Sequence, residues 1–352
     1  MYTTRINTLL SRLPNEADGV LITSPENLRY FSGFTGGEGA LVLSGQEKKL
    51  LTDSRYVLQA AEEAPDFSVI DTAETKLLDC LCACDFKTLA IEEENLSAHF
   101  YKKLTAALPR CTFLGVDETL LLLRAVKNDA ELDLTRKAAR LADEAFAHVL
   151  PLIRPEVSEL DIAMELEWHM RKGGADGPSF PIICASGYRS AMPHGVASEK
   201  KLASGELFTM DFGCFYHGYA SDMTRTVMIG KASEKQRKIY DTVLAAQLAA
   251  LSAIGPGVSG QDADAAARDL ISAAGFGPCF GHSLGHGTGL LIHERPTLSP
   301  RSDSVLAPGM IVSVEPGIYV EGIGGVRIED LVIITEDGIE NLTTSPKELL
   351  EL

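Results

Sequence analysis

Four carboxylates and a cluster of imidazoles carry the chemistry open to this chain. Asp211 ends an apolar run, Leu207–Met210, and Asp222 stands just before another, Thr224–Ile229, with Gly213 and Gly218 between them. Two apolar runs joined by a glycine-bearing connection read as a β-hairpin, here with an acid on each arm. Asp also terminates strands and caps turns as a matter of course, so this pair alone leaves a structural role open. The pattern then recurs. Met310–Val314 runs into Glu315, Pro316-Gly317 breaks it, Gly324-Gly325 turns the chain, and a returning strand, Val326–Thr335, carries Glu329. Between the two hairpins, GFGPCFGHSLGHGTGLLIHERP holds His282, His286 and His293, three of the eight histidines, among Gly281, Gly285, Gly287 and Gly289. Glycine in such positions lets backbone and imidazole close on a ligand and is costly inside a regular element. Four acids gathered in a folded interior repel one another unless cations lie between them. Asp211, Asp222, His286, Glu315 and Glu329 together offer enough oxygen, plus one nitrogen, to hold two hard divalent ions.

The elements that must position these residues fill the C-terminal two-thirds of the chain. A long helix follows Asn128 or Asp129 as N-cap, with Leu132, Ala139, Ala142 and Phe146 near one face. A second follows Pro155, where Ser158 and Asp161 have capping-box spacing. SFPIICASGYRSAMPHGVAS reads as strand, turn and a loop holding His194, and helices over Ser233–Ile254 and Gly260–Ala274 separate the two hairpins. His148 and His169 read as structural. Residues before about 120 alternate helix (Tyr2–Leu13, Tyr56–Glu63) with strand (Gly19–Ile22, Ala40–Leu43, Lys49–Thr52, Phe67–Asp71, Thr88–Glu92), the pattern of an α/β layer domain. That region has no phosphate loop. His99 reads as a surface residue, Glu92-Glu93-Glu94 as a solvated run, and Leu120–Leu123 as strand-like. A boundary near Arg124 divides the chain into residues 1–124 and 125–352. No short internal repeat or low-complexity stretch is evident.

Composition narrows the partners. The 352 residues, 45% hydrophobic and 23% charged, fit a globular protein of two domains. A formal net charge of −17 argues against nucleic acid or an anionic membrane, both of which call for a basic face. No apolar run approaches the ~20 residues of a membrane span, and the first residues lack the apolar core of a signal peptide. Seven cysteines, an odd number without paired spacing, point to reduced thiols and a cytoplasmic setting.

At the hairpins and the histidine segment the chain resembles the pita-bread metallopeptidases: aminopeptidase P, prolidase and methionine aminopeptidase. NLRYFSGFTG and LLTDSRYVLQA resemble the creatinase/prolidase N-terminal domain, so the likeness covers the whole chain. It implies an α/β N-terminal domain followed by an α+β pita-bread catalytic domain. It also implies that Asp211 chelates one metal, that Asp222 and Glu329 bridge both, and that His286 and Glu315 complete the second. His194 and His293 correspond to residues that contact the substrate and the tetrahedral intermediate, His282 to a substrate-pocket histidine, Tyr319 to a pocket aromatic and Arg327 to an arginine supporting the carboxylates. HERP departs from the family pattern in having a larger residue before the proline. The implied cofactor is a pair of divalent ions, Mn²⁺ first, with Co²⁺ or Zn²⁺ as alternatives. The implied reaction is hydrolysis of an N-terminal Xaa-Pro bond by a hydroxide bridging the ions, with Glu315 as general base then acid.

An Xaa-Pro aminopeptidase acting on peptides with proline second is the first expectation, a dipeptide-limited prolidase the alternative. Methionine aminopeptidase fits less well because an N-terminal domain is present. A non-catalytic peptide-binding module would have degraded ligands, and all five stand here. A homodimer is implied by the resemblance alone.

Overall fold

In the N-terminal unit, Met1–Arg124, the chain places its most apolar strand at the centre. Gly19–Ile22 is buried along its whole length. It pairs antiparallel with Ala40–Ser44 and parallel with Thr88–Ile91. Lys48–Thr52 and Ser68–Asp71 extend one edge and Thr112–Gly115 the other, giving a six-stranded mixed sheet. The computed structural model describes residues 2–352.

Two expectations for this unit need correction. Glu92 is not solvated: it is 2% exposed. It accepts from the Thr23 backbone N–H, from Ser24 N and Oγ (2.9 and 2.6 Å) and from Asn27 Nδ2 at 2.7 Å. Its carboxylate satisfies backbone donors at the start of helix Pro25–Ser32, where an anion is favoured. Leu120–Leu123 is helical, within Asp117–Ala125, whose first turn holds Asp117 and Glu118. A run of leucines, which are not β-branched, behind two acids favours helix over strand.

The C-terminal unit, Ala125–Leu352, is built twice over. Each half begins with a helix closed by a capping box, Asn128/Glu131 on Asp129–Val149 and Ser233/Gln236 on Glu234–Ala253. A second helix follows in each, Glu159–Lys172 capped by Ser158 and Gly260–Ala273 capped by Ser259. In the first half, Ile183–Ser186, Glu206–Phe212 and Met223–Ile229 form a three-stranded antiparallel sheet over a core that includes Phe146, Leu166, Phe208 and Val227. In the second, Gly285–Gly287, Ile311–Val314 and Asp330–Ile334 lie inside a five-stranded sheet, and Tyr240, Val243, Val312 and Ile328 share a core.

The expected continuous strand Val326–Thr335 is broken. Gly324–Arg327 pairs with Gly317–Val320, whereas Asp330–Ile334 pairs with Ile311–Val314. The interruption at Ile328–Glu329 lies opposite Glu315–Pro316, and proline has no N–H to continue a ladder. Both acids of the second hairpin therefore sit where strand pairing lapses.

Candidate metal centre

Register explains the convergence of the acids. Asp211 pairs with Thr224 across the first hairpin, and side chains two apart share a face. Asp222, two residues before Thr224, therefore faces the same side as Asp211. Glu329 is brought alongside by its own N–H, which donates to the Thr224 carbonyl at 3.1 Å. The Thr224 hydroxyl donates to Glu329 Oε2 at 2.7 Å. Oxygens of Asp211, Asp222 and Glu329 thus lie within 4.8 Å of one another.

His286 closes the group from the second half. Its Nε2 stands 3.5 Å from Asp222 Oδ2 and 3.3 Å from Glu315 Oε1. Its Nδ1 lies 3.1 Å from the Gly287 carbonyl. A carbonyl can only accept, so Nδ1 carries the proton and Nε2 turns its lone pair toward the carboxylates. Gly285 makes this approach feasible, because a Cβ there would lie 1.9 Å from the Ser313 carbonyl oxygen. Ser313 in turn donates its hydroxyl to Glu315 Oε1 at 3.0 Å.

The electrostatics are those of a cation site. Burial, then the charges of neighbouring acids, pushes the carboxyls of Asp222 and Glu329 well above the usual range. Burial pushes Glu315 up to about 7, and it pulls the His286 imidazole down. One oxygen each of Asp211, Asp222 and Glu329 is buried without a hydrogen-bond partner. Orphaned buried acceptors are rare and costly. A lone pair aimed at carboxylates beside three orphaned oxygens fits a pair of hard divalent ions with one imidazole ligand.

A second line of polar groups leads away from the acids. Arg327, 3% exposed, donates from Nη2 to Asp211 Oδ2 at 2.5 Å, from Nε to the Thr224 hydroxyl at 3.0 Å and from Nη1 to the Tyr319 hydroxyl at 2.6 Å. Arginine has only donors, so Tyr319 accepts from it and gives its own proton to His282 Nε2, 3.0 Å away. His282 Nδ1 then donates to the Ser283 carbonyl at 2.8 Å. A neutral imidazole follows from this geometry, in accord with burial pulling His282 down to about 4. His293 packs edge-on against His286 with ring centroids 4.4 Å apart. The exposed His194 loop approaches the same group, its Pro193 carbonyl accepting from Arg327 Nη1 at 3.4 Å.

All ten residues singled out in the sequence are thus at or beside one centre, whereas His148 and His169 stack on each other on separate helices at 4.6 Å. Sequence reading passed over Thr224 and Ser313, whose hydroxyls orient Glu329 and Glu315. Both are ordinary strand residues, and only their place beside an acid hinted at a role.

With this geometry in view, likeness to known proteins is informative. Residues 5–126 match the creatinase/prolidase N-terminal domain. The chain is 39% identical over 339 residues, 96% of each protein, to the Xaa-Pro dipeptidase of Pyrococcus furiosus. Among solved structures it resembles Xaa-Pro dipeptidase from Bacillus anthracis, with a TM-score of 0.97 at 44% identity over 100% of both chains. It also resembles an X-Pro aminopeptidase from Thermotoga maritima, with a TM-score of 0.90 at 39% identity over 99% of this chain and 100% of that one. The pita-bread expectation for the catalytic unit holds, and since residues 133–336 match its model, the chain belongs to metallopeptidase family M24.

Proposed function

We propose that this chain is an Xaa-Pro dipeptidase of the prolidase type, working with two divalent ions. The observation that carries the reading is the convergence of Asp211, Asp222 and Glu329, each with a buried oxygen left unpartnered. The relatives from P. furiosus and B. anthracis favour the dipeptidase over the aminopeptidase expected first from the sequence. The T. maritima likeness supports the aminopeptidase as the second reading.

In this reading Asp211, Asp222, His286, Glu315 and Glu329 would hold the ions. Oxygen-rich donors with a single imidazole suit Mn²⁺ best, with Co²⁺ or Zn²⁺ as alternatives. Bound ions make water nucleophilic at neutral pH and polarise the scissile carbonyl.

The chain's own groups supply the remaining steps. Glu315, oriented by the Ser313 hydroxyl that donates to its Oε1, takes a proton from the attacking water and delivers it to the prolyl nitrogen as the bond breaks. That nitrogen has no N–H in the substrate and leaves only if protonated. His293 donates to the carbonyl oxygen as negative charge develops. His194, His282 and Tyr319 line the pocket for the proline end, and Arg327 holds Asp211 and Tyr319 in place. The partners of this reading are Xaa-Pro peptides and a second copy of the chain. Seven free cysteines suit a cytoplasmic setting, and no helix among the described residues is long and apolar enough to cross a membrane.

The test is hydrolysis, with Mn²⁺ present, of an Xaa-Pro dipeptide and an Xaa-Pro-Xaa tripeptide. Cleavage of the dipeptide alone is expected. Release of the first residue from the tripeptide would move the assignment to the aminopeptidase. Inertness toward both, with metal bound, would overturn the proline specificity.

A further inference from the structure

Arg225 is among the largest fully buried side chains of the molecule, 1% exposed, and it has no place in the chemistry just described. It follows Thr224 on the same strand, so the two side chains point to opposite faces. Thr224 reaches Glu329 from the centre's side, its hydroxyl on the carboxylate. Arg225 reaches the same residue from behind. Its Nη1 donates to the Glu329 carbonyl at 2.5 Å and to the Thr224 carbonyl at 2.9 Å. That Thr224 carbonyl is also the acceptor of the Glu329 N–H.

The location is where the returning strand lapses. Ile328–Glu329 falls between the segment paired with Gly317–Val320 and the segment paired with Ile311–Val314. A guanidinium that donates to the Glu329 carbonyl and to the Thr224 carbonyl beside it ties the interrupted segment to the strand of Thr224, and its planar fork fixes direction as well as distance.

The remaining donors of Arg225 are anchored too. Nη2 donates to Asp330 Oδ1 and to the Ser345 carbonyl, both at 2.8 Å, and Nε to the Pro346 carbonyl at 3.1 Å. Asp330 also accepts from Lys347 Nζ at 2.6 Å, Asn341 Nδ2 at 2.6 Å and Gln247 Nε2 at 2.9 Å.

We infer that Arg225, clamped by Asp330 and the segment Ser345–Lys347, is a positioning residue that holds Glu329 at the strand break in the orientation needed to bind metal. The inference rests on the reading of Glu329 as a metal ligand. Replacing such outer partners typically costs 10–100-fold in metal affinity.

The experiment is calorimetric titration of metal-stripped protein with Mn²⁺ alone, for wild type, Glu329→Gln, Arg225→Lys and Lys347→Met. Arg225→Lys keeps a charge for Asp330 but loses the fork, and Mn²⁺ affinity is expected to fall about tenfold. Lys347→Met alters a side chain 21% exposed, is expected to fold, and should lower affinity by a smaller factor, about threefold. A purely structural Arg225 would lower the unfolding temperature and leave affinity unchanged. Wild-type affinity in both variants, with Glu329→Gln impaired, overturns the positioning role. Wild-type affinity in Glu329→Gln overturns the ligand assignment, and the positioning role with it. If Arg225→Lys does not fold, Lys347→Met alone decides, and unchanged affinity there counts against the proposal.

Discussion

The hydroxyl of Tyr319 has one proton and two neighbours. Arg327 can only donate to it, so the proton goes to His282, and a single phenol sets the tautomer of an imidazole on one side and steadies the arginine of Asp211 on the other. Tyr319→Phe leaves a buried N–H and a ring nitrogen without partners, at a cost of about 1–3 kcal/mol. The expected outcome is a drop of roughly tenfold in kcat/KM on an Xaa-Pro substrate, with bound metal per chain unchanged by elemental analysis. A parallel loss of metal would mean that Tyr319 acts through Asp211 and not on the substrate side. At this scale much of the centre was legible in the sequence. Acids at the ends of apolar runs and histidines among glycines are unusual in strands and turns, so Asp211, Asp222, His286, Glu315 and Glu329 stood out. Thr224, Arg225 and Ser313 did not. Hydroxyls are common in strands, and a buried arginine differs from an exposed one only through partners distant in the chain, such as Asp330 and the Ser345 carbonyl.

The duplication of the catalytic unit gives the elements a built-in comparison. Pro155-Glu156-Val157-Ser158 and Pro256-Gly257-Val258-Ser259 lead into the second helix of each half. Glu156 N donates to the Leu202 carbonyl at 3.0 Å and Gly257 N to the Leu306 carbonyl at 2.8 Å. Both residues are left-handed, with φ of 72° and 85°. Glutamate pays a steric penalty there that glycine does not, about 1–2 kcal/mol, partly offset by the entropy of a glycine in the unfolded chain. Glu156→Gly is therefore expected to stabilise the protein by about 0.5 kcal/mol and Gly257→Ala to destabilise it by about 1 kcal/mol. A Cβ at Gly257 meets nothing within 4 Å, so the second change tests the backbone alone. Thermal unfolding of the two variants should shift in opposite directions; a fall for Glu156→Gly would show that its side chain does more than tolerate the turn. Beyond this motif and the recurring acid-bearing hairpins, the repeat shows in the order of elements. Capping boxes and apolar periodicity located the helices well. The break at Ile328–Glu329 was hidden because apolar residues continue on both sides of it, and pairing with two different strands is a property of the tertiary fold.

At the scale of the whole molecule, the centre makes stability depend on pH and on metal together. Burial and mutual repulsion raise the carboxyls of Asp222, Glu315 and Glu329 above their ordinary values of 3.8, 4.5 and 4.5. A folded chain whose acids have raised pKa values holds more protons than the unfolded chain, so its stability falls as pH rises. Without metal the contribution is complete below about pH 4 and is lost as pH climbs through the folded values, for Glu315 through about 7. Divalent ions reverse the sign of the problem, since they take the place of those protons and satisfy the orphaned oxygens. Metal should therefore stabilise the protein more at pH 8 than at pH 5.5, and its binding should release protons. At pH 6 about one proton or more per chain is expected, measurable by titration calorimetry in buffers of different ionisation enthalpy. Thermal unfolding with Mn²⁺ and with chelator at the two pH values reads the same linkage independently. A chelator-induced loss of stability that is equal at both pH values, with no proton release, would mean that the acids are already charged in the metal-free fold. The repulsion among these carboxylates, on which their proposed metal binding rests, would then have to be relieved by some other means.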